Sequence, residues 1–334
     1  MQLILNSPLD MHLHLREGEM LKQVAPLSAE TFSGAVIMPN LLPPITSLKR
    51  LSEYENEIKA ATDGCAFDPY LTMFLTDYSE AELLDIKDKV IALKLYPAGA
   101  TTNSDGGIED INKADKTLRV MEELGIPLSV HGETVKNHIL EREKEFLPVY
   151  RMLAEKYPKL KIIMEHITTK DSIELLGDYE NLFATVTLQH LMITFDDIYG
   201  ALMNPHLYCK PIAKTFEDRD ALKELVFSSN PKVMFGSDSA PHYRGAKEVE
   251  DNPAAGCFTA PVILPCLAEL FDENGVLDKL QAFISDNAQQ VYGVKPVAKK
   301  VTLTKESFVI PEEYHGIVPI FSGKEVSWNV TNIE

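Results

Sequence analysis

The chain has 334 residues, 45% hydrophobic and 25% charged, an ordinary balance for a globular enzyme with room for one large α/β domain or two smaller ones. Fifty acidic residues against 32 basic ones leave a formal charge of −18, which disfavours nucleic acid and anionic membranes as partners. An anionic small substrate would need a local cationic centre.

The opening stretch "MQLILNSPLDMHLHL" lacks the basic region, long apolar core and small-residue cleavage site of a signal peptide, so a cytoplasmic location is expected. Within it, "PLDMHLHLREGEM" (8–20) alternates: on a strand Leu9, Met11, Leu13 and Leu15 face one way and Asp10, His12, His14 and Arg16 the other. Taken alone, such a segment reads as an amphipathic surface strand. Seven more short apolar runs follow, at Gly34–Met38, Tyr70–Leu75, Val90–Leu95, Pro127–Val130, Lys161–Met164, Leu182–Thr185 and Lys232–Phe235. Between them lie segments of helical period. Leu48, Leu51, Tyr54 and Ile58 recur before Gly64, and Leu147, Tyr150, Leu153 and Tyr157 before Pro158. Eight strands alternating with helices predict a parallel sheet closed into a (β/α)8 TIM barrel. The seventh connection, about 186–231, is too long for one helix and should carry extra elements. No linker or repeat divides the chain, so 1–334 reads as one domain with a short strand-like appendage from about 295. Cys65, Cys209, Cys257 and Cys266 form no CxxC pair and are expected to be reduced thiols.

Chemistry collects where the runs end. The first carries His12 and His14, the fourth Lys94, the fifth ends in His131, the sixth in His166, and the eighth leads to Asp238 with His242 four residues on. In a parallel barrel those ends form one face, where active sites of this architecture sit. A solvated surface strand accounts for one such pattern and not for five. His12 and His14 can reach one ion, zinc suits imidazole and carboxylate, and His131 and His166 from neighbouring strands could hold a second. Lys94 would ordinarily snorkel to solvent. Beside two divalent cations its ammonium should lose its proton, and the neutral amine can add carbon dioxide to give a carbamate able to bridge two metals.

The motifs "DMHLHLR", "VIMPNLLPP", "KLYPAGATTNS", "VHGE", "EHITTKD", "PHLYC" and "GSDSAPH" closely resemble the dihydroorotase family of the short bacterial type, in the amidohydrolase superfamily. The likeness runs from about Pro8 to "SWNV" near the carboxyl end. It implies two zinc ions held by His12, His14, His131, His166 and Asp238 and bridged by N6-carboxylated Lys94 and a hydroxide. It implies interconversion of N-carbamoyl-L-aspartate and L-dihydroorotate in pyrimidine synthesis, with Asp238 moving the proton. It further implies that Arg16, Asn40 and His242 hold the substrate carboxylate, that Thr101 and Thr102 belong to a mobile loop closing over substrate, and that Ala255 lines the pocket. Lys210 stands where an apolar residue whose backbone meets the pyrimidine ring is expected. The short lead before His12 leaves no room for the accessory β-sandwich of hydantoinases. A homodimer is the expected assembly.

Competing readings are another cyclic amidohydrolase, which would give Arg16 and Asn40 no anion to bind, and a catalytically dead barrel, disfavoured because all six ligand positions are filled. His190 and His206 are expected to be structural, and His138 and His315 to lie on the surface. Gly106 and Gly107 lack the companions of a phosphate cradle and should let a loop bend.

Overall fold

The computed structural model describes residues 1–200 and 202–334. Its strands are β1 (Gln2–Asn6), β2 (Leu9–Leu13), β3 (Gly34–Ile37), β4 (Asp68–Phe74), β5 (Ala92–Leu95), β6 (Leu128–Val130), β7 (Ile162–Met164), β8 (Leu182–Val186), β9 (Val233–Phe235), β10 (Lys300–Thr304), β11 (Phe308–Val309), β12 (Glu325–Val326) and β13 (Asn329–Ile333). Strands β2 to β9 are the eight expected runs, and they pair in parallel in sequence order. Closure between β9 and β2 runs through Leu13 and Ser239, which form a parallel bridge, with Asp238 N–H donating to the His12 carbonyl at 2.8 Å. The TIM barrel is therefore the observed architecture.

Alternate residues of each strand face opposite ways, and both faces are buried, which is why the runs are apolar throughout. Ala35, Ile37, Leu93, Leu95, Val130, Met164 and Ala184 pack outward in the main hydrophobic cluster with the helices. The interior is layered. Toward the strands' amino ends it is apolar, with Leu9, Met11, Ile163, Phe183 and Met234 meeting Ala288 and Val291 of the helix Asn287–Tyr292. Toward the carboxyl ends the same parity delivers Thr72, Lys94, Ser129, His131, Glu165 and Thr185.

The strict alternation expected from Leu9 to Leu15 does not hold. Leu9 and Met11 lie in the interior cluster, whereas Leu13 and Leu15 join the outer one, so the four do not share a face. The cause is a β-bulge: Asp10 pairs with Ala35 and Leu13 with Ile37, leaving one more residue on β2 than on β3 between the pairs. The bulge re-aims the strand end so that His12 and His14 enter the interior above Met11. The buried Asp10 carboxylate holds it, accepting from His12 N–H at 3.1 Å and from Ser237 N–H at 2.8 Å.

The helix Leu48–Ala61 starts at Ser47, whose side chain accepts from Arg50 N–H, and it buries Leu51, Tyr54 and Ile58, the residues whose spacing announced it. The helix Leu147–Lys156 likewise buries Tyr150 and Leu153. The long seventh connection holds the helices Leu188–Met192, Phe195–Tyr199 and Phe216–Phe227. The expected strands begin at Leu9, yet β1 precedes them and pairs antiparallel with β10, which pairs with β13. Val301, Leu303 and the fully buried Trp328 of this tail join the main hydrophobic cluster. All four cysteines are free, three of them buried. Among the described residues no helix is long and apolar enough to cross a membrane.

Candidate active site

At the carboxyl ends of the strands His12, His14 and Asp238, all buried, bring ligand atoms within 4.8 Å of one another. The Asp238 carboxylate lies 3.0 Å from His14 Nε2 and 3.6 Å from His12 Nε2. His166 stands beside them, its ring centroid 4.9 Å from that of His12, and its Nε2 is 3.2 Å from His131 Nδ1. Lys94 shares this interior layer, fully buried, with Nζ 5.2 Å from the centroid of the Tyr96 ring. Among the described residues Lys94 Nζ and His166 Nδ1 are buried with no hydrogen-bond partner. Such groups are costly to leave unpaired, and these two point to something that binds there.

The electrostatics suit a metal. Burial pushes His14 down to about 4 and His166 well below its ordinary value, so both rings are neutral near pH 7, the form that ligates. Burial also lowers Lys94 to about 8, against the pull of Glu165 and Asp238, so its amine is readily freed of its proton. Burial alone would raise Asp238, but the hydrogen bond from His14 and the charges of His12 and His14 outweigh it and hold the carboxyl at about 2.

A supporting layer, which no sequence motif singles out, orients these candidate ligands. Glu165 takes His12 Nδ1 at 2.8 Å and the Thr185 hydroxyl at 2.6 Å, while Glu133 takes His131 Nε2 at 2.9 Å. Each carboxylate fixes which ring nitrogen is left for a ligand, the usual outer arrangement of a metal histidine. Glu165 and His166 are consecutive, yet both turn inward, because His166 adopts φ +40° and breaks the alternation. Gly236 is needed for a different reason. A Cβ there would lie 2.9 Å from the His12 Cβ and 3.0 Å from the Thr185 Cβ, so any side chain would displace the ligand strand.

Beside the histidines a small cavity is lined by His14, Arg16, Asn40, Thr101, Thr102, Lys210, Asp238 and Ala255, together with Ala240 and Gly256. Arg16 sits at φ +60°, with its carbonyl held by the Tyr54 hydroxyl at 2.8 Å, so the helix Leu48–Ala61 anchors it. Its guanidinium donates to the Pro241 carbonyl at 3.3 Å and lies 3.2 Å from His242 Nε2, which in turn is 3.1 Å from the Ala255 carbonyl. The Asn40 amide donates to the Thr102 carbonyl at 3.0 Å, and Asn103 returns a hydrogen bond to the Asn40 carbonyl at 3.1 Å. The loop bearing Thr101 and Thr102 is thus docked over the cavity. Away from this site, His190 is fixed between Thr187 at 2.8 Å and the Pro211 carbonyl at 2.9 Å, and His206 pairs with Glu248. His138 and His315 are exposed.

Residues 4–297 match the model of the Amidohydrolase family. A dihydroorotase of Helicobacter hepaticus is 43% identical over 98% of this chain and 97% of its own length. The chain belongs to the dihydroorotases of the amidohydrolase family. A solved dihydroorotase structure from Campylobacter jejuni superposes with a TM-score of 0.94 at 49% identity, covering 99% of this chain and 98% of that one. One from Saccharomyces cerevisiae, in complex with 5-fluoroorotic acid, superposes with a TM-score of 0.93 at 34% identity, covering 99% and 98%. The family expected from the seven motifs and the barrel expected from the strand count are both borne out.

Proposed function

We propose that the cavity binds L-dihydroorotate and N-carbamoyl-L-aspartate and interconverts them beside two zinc ions held by His12, His14, His131, His166, Asp238 and N6-carboxylated Lys94. The reading is carried by one observation: Lys94 Nζ and His166 Nδ1 are orphaned in a buried layer, next to the His12–His14–Asp238 cluster. A carbamate on Lys94 would turn an unpaired amine into an anionic oxygen ligand. Bound zinc supplies polarisation of the amide carbonyl and a water of lowered pKa.

The chain's own residues do the rest. In ring opening Asp238 accepts the proton of the attacking water and delivers it to the departing ring nitrogen; ring closure reverses both transfers. Arg16 offers the substrate carboxylate a planar, permanently charged fork, with Asn40 and His242 on either side. Thr101 and Thr102 close the cavity and exclude water, which strengthens every charge interaction inside. Lys210 contributes to the wall through its stretch of backbone.

The cytoplasm, which keeps thiols reduced, suits the four free cysteines. A homodimer is the proposed assembly, and exposed Tyr199, Leu202 and Met203 offer an apolar face for it.

The test compares L-dihydroorotate with dihydrouracil, the same ring without the carboxylate. The native protein should open the first and leave the second essentially untouched. Arg16→Lys should raise KM for dihydroorotate by about 10- to 100-fold through loss of the paired charged hydrogen bonds. Equal turnover of the two rings by the native protein would instead make this a general cyclic amidohydrolase.

A further inference from the structure

Lys247 is a buried cation with no carboxylate partner among the described residues. It ends the short helix Arg244–Lys247 and is only 3% exposed. Its Nζ donates to three main-chain carbonyls, Tyr208 at 3.0 Å, Ala254 at 2.8 Å and Gly256 at 2.7 Å. An ammonium has three donors and no acceptor, so the set is filled.

The position of those carbonyls gives the arrangement its meaning. Tyr208 lies two residues before Lys210, and Ala254 and Gly256 flank Ala255; Lys210, Ala255 and Gly256 all line the substrate cavity. The two stretches are distant in sequence and meet at one point. The Tyr208 carbonyl accepts both from Lys247 and from Gly256 N–H at 2.9 Å. Gly256 is pressed against the cavity floor at φ +148°, where a Cβ would lie 2.5 Å from the Ala240 carbonyl. Between the clamped carbonyls the Ala255 carbonyl turns to His242, 3.1 Å away, and His242 reaches Arg16 at 3.2 Å. A chain of contacts therefore runs from the ammonium to the guanidinium without Lys247 touching the cavity.

We propose that Lys247 is a positioning residue for substrate binding: its ammonium sets the separation of two cavity walls and, through Ala255 and His242, the placement of Arg16. The inference rests on the reading of Arg16 and His242 as the carboxylate site. A lysine that merely holds the fold together would affect stability, metal content and turnover alike. A positioning lysine acts on affinity for carboxylate-bearing ligands.

The experiment uses the zinc-loaded full chain with Lys247→Ala, Lys247→Gln and Arg16→Lys in parallel. It reads kcat and KM for dihydroorotate, zinc per chain, and the Kd of 5-fluoroorotic acid by calorimetry. For Lys247→Ala, KM and Kd should rise about tenfold or more while kcat changes less than about threefold and zinc is retained. Ethylammonium, which restores three N–H donors, should bring Kd back toward the native value, and ethanol should not. Lys247→Gln should fall between. The proposal is overturned if KM and Kd stay within about twofold of native, if zinc and kcat fall together with affinity, or if neither Lys247 variant folds, which would make the residue a structural knot. Should Arg16→Lys also leave Kd unchanged, the carboxylate-site reading fails; if Arg16→Lys weakens binding and Lys247→Ala does not, only the positioning role fails.

Discussion

Replacing Asp238 by Asn is expected to slow ring opening and ring closure together, by about 10³-fold or more, with the fold intact. Asparagine keeps the shape and one neutral oxygen toward His14, but it can neither accept nor return a proton. Asp238 adopts φ +45° and lies 3.0 Å from His14, so its placement is set by the backbone and by a neighbouring ligand position rather than by chance packing. Direction supplies the discriminating sign. Ring opening requires the coupled zinc–water–carboxylate centre in its deprotonated form and should accelerate as pH rises until that centre has lost its proton, since Asp238 itself, held at about 2, is already ionised; ring closure requires the protonated centre and should decline as pH rises. The apparent pKa values belong to the coupled centre rather than to Asp238 alone. Rates in both directions between about pH 5 and 10, a span that includes zinc-bound water near 7, should form opposed limbs at constant zinc occupancy. Parallel profiles at full occupancy would assign the proton transfer to another group.

Lys94→Ala should be nearly as damaging by a different route. The native amine is fully buried and partnerless, and its proton is loosened by burial to a pKa of about 8, conditions under which carbon dioxide can be captured. Alanine removes the oxygens that the carbamate would supply, so zinc per chain should fall and turnover should drop by about 10²-fold or more. Added acetate or propionate should restore part of both by placing a free carboxylate in the space left behind. A Lys94→Ala protein with native metal content and native turnover would show that the lysine is a passive interior residue.

The barrel was legible because each strand is buried on both faces and must be an apolar run, and because the helices between them show their buried stripes, as Leu51, Tyr54 and Ile58 do. The candidate ligand positions His12, His14, Lys94, His131, His166 and Asp238 stood out because they interrupt those runs at one end; of these the structure groups His12, His14 and Asp238 within reach of one ion. What escaped depends on pairing rather than composition. The bulge in β2 is a relation between Asp10, Leu13 and their partners on β3, and no periodicity within β2 reveals it. Glu133 and Glu165 stood in plain view in "VHGE" and "EHITT", but strict alternation allows only one of Glu165 and His166 to face inward. The left-handed backbone at His166 is a tertiary outcome. The sheet joining β1 to β10 links residues some three hundred apart. The Thr101–Thr102 loop was readable as pliable; its docking on Asn40 was not.

Turnover of dihydroorotate by this chain is proposed to depend on a two-metal centre built from these six residues. The most direct measurement strips the native protein of metal, returns zinc in steps, and records dihydroorotate opening and bound zinc on the same samples. Activity should rise to saturation as occupancy approaches two ions per chain. Full activity at one ion per chain, or in protein that binds none, would contradict it.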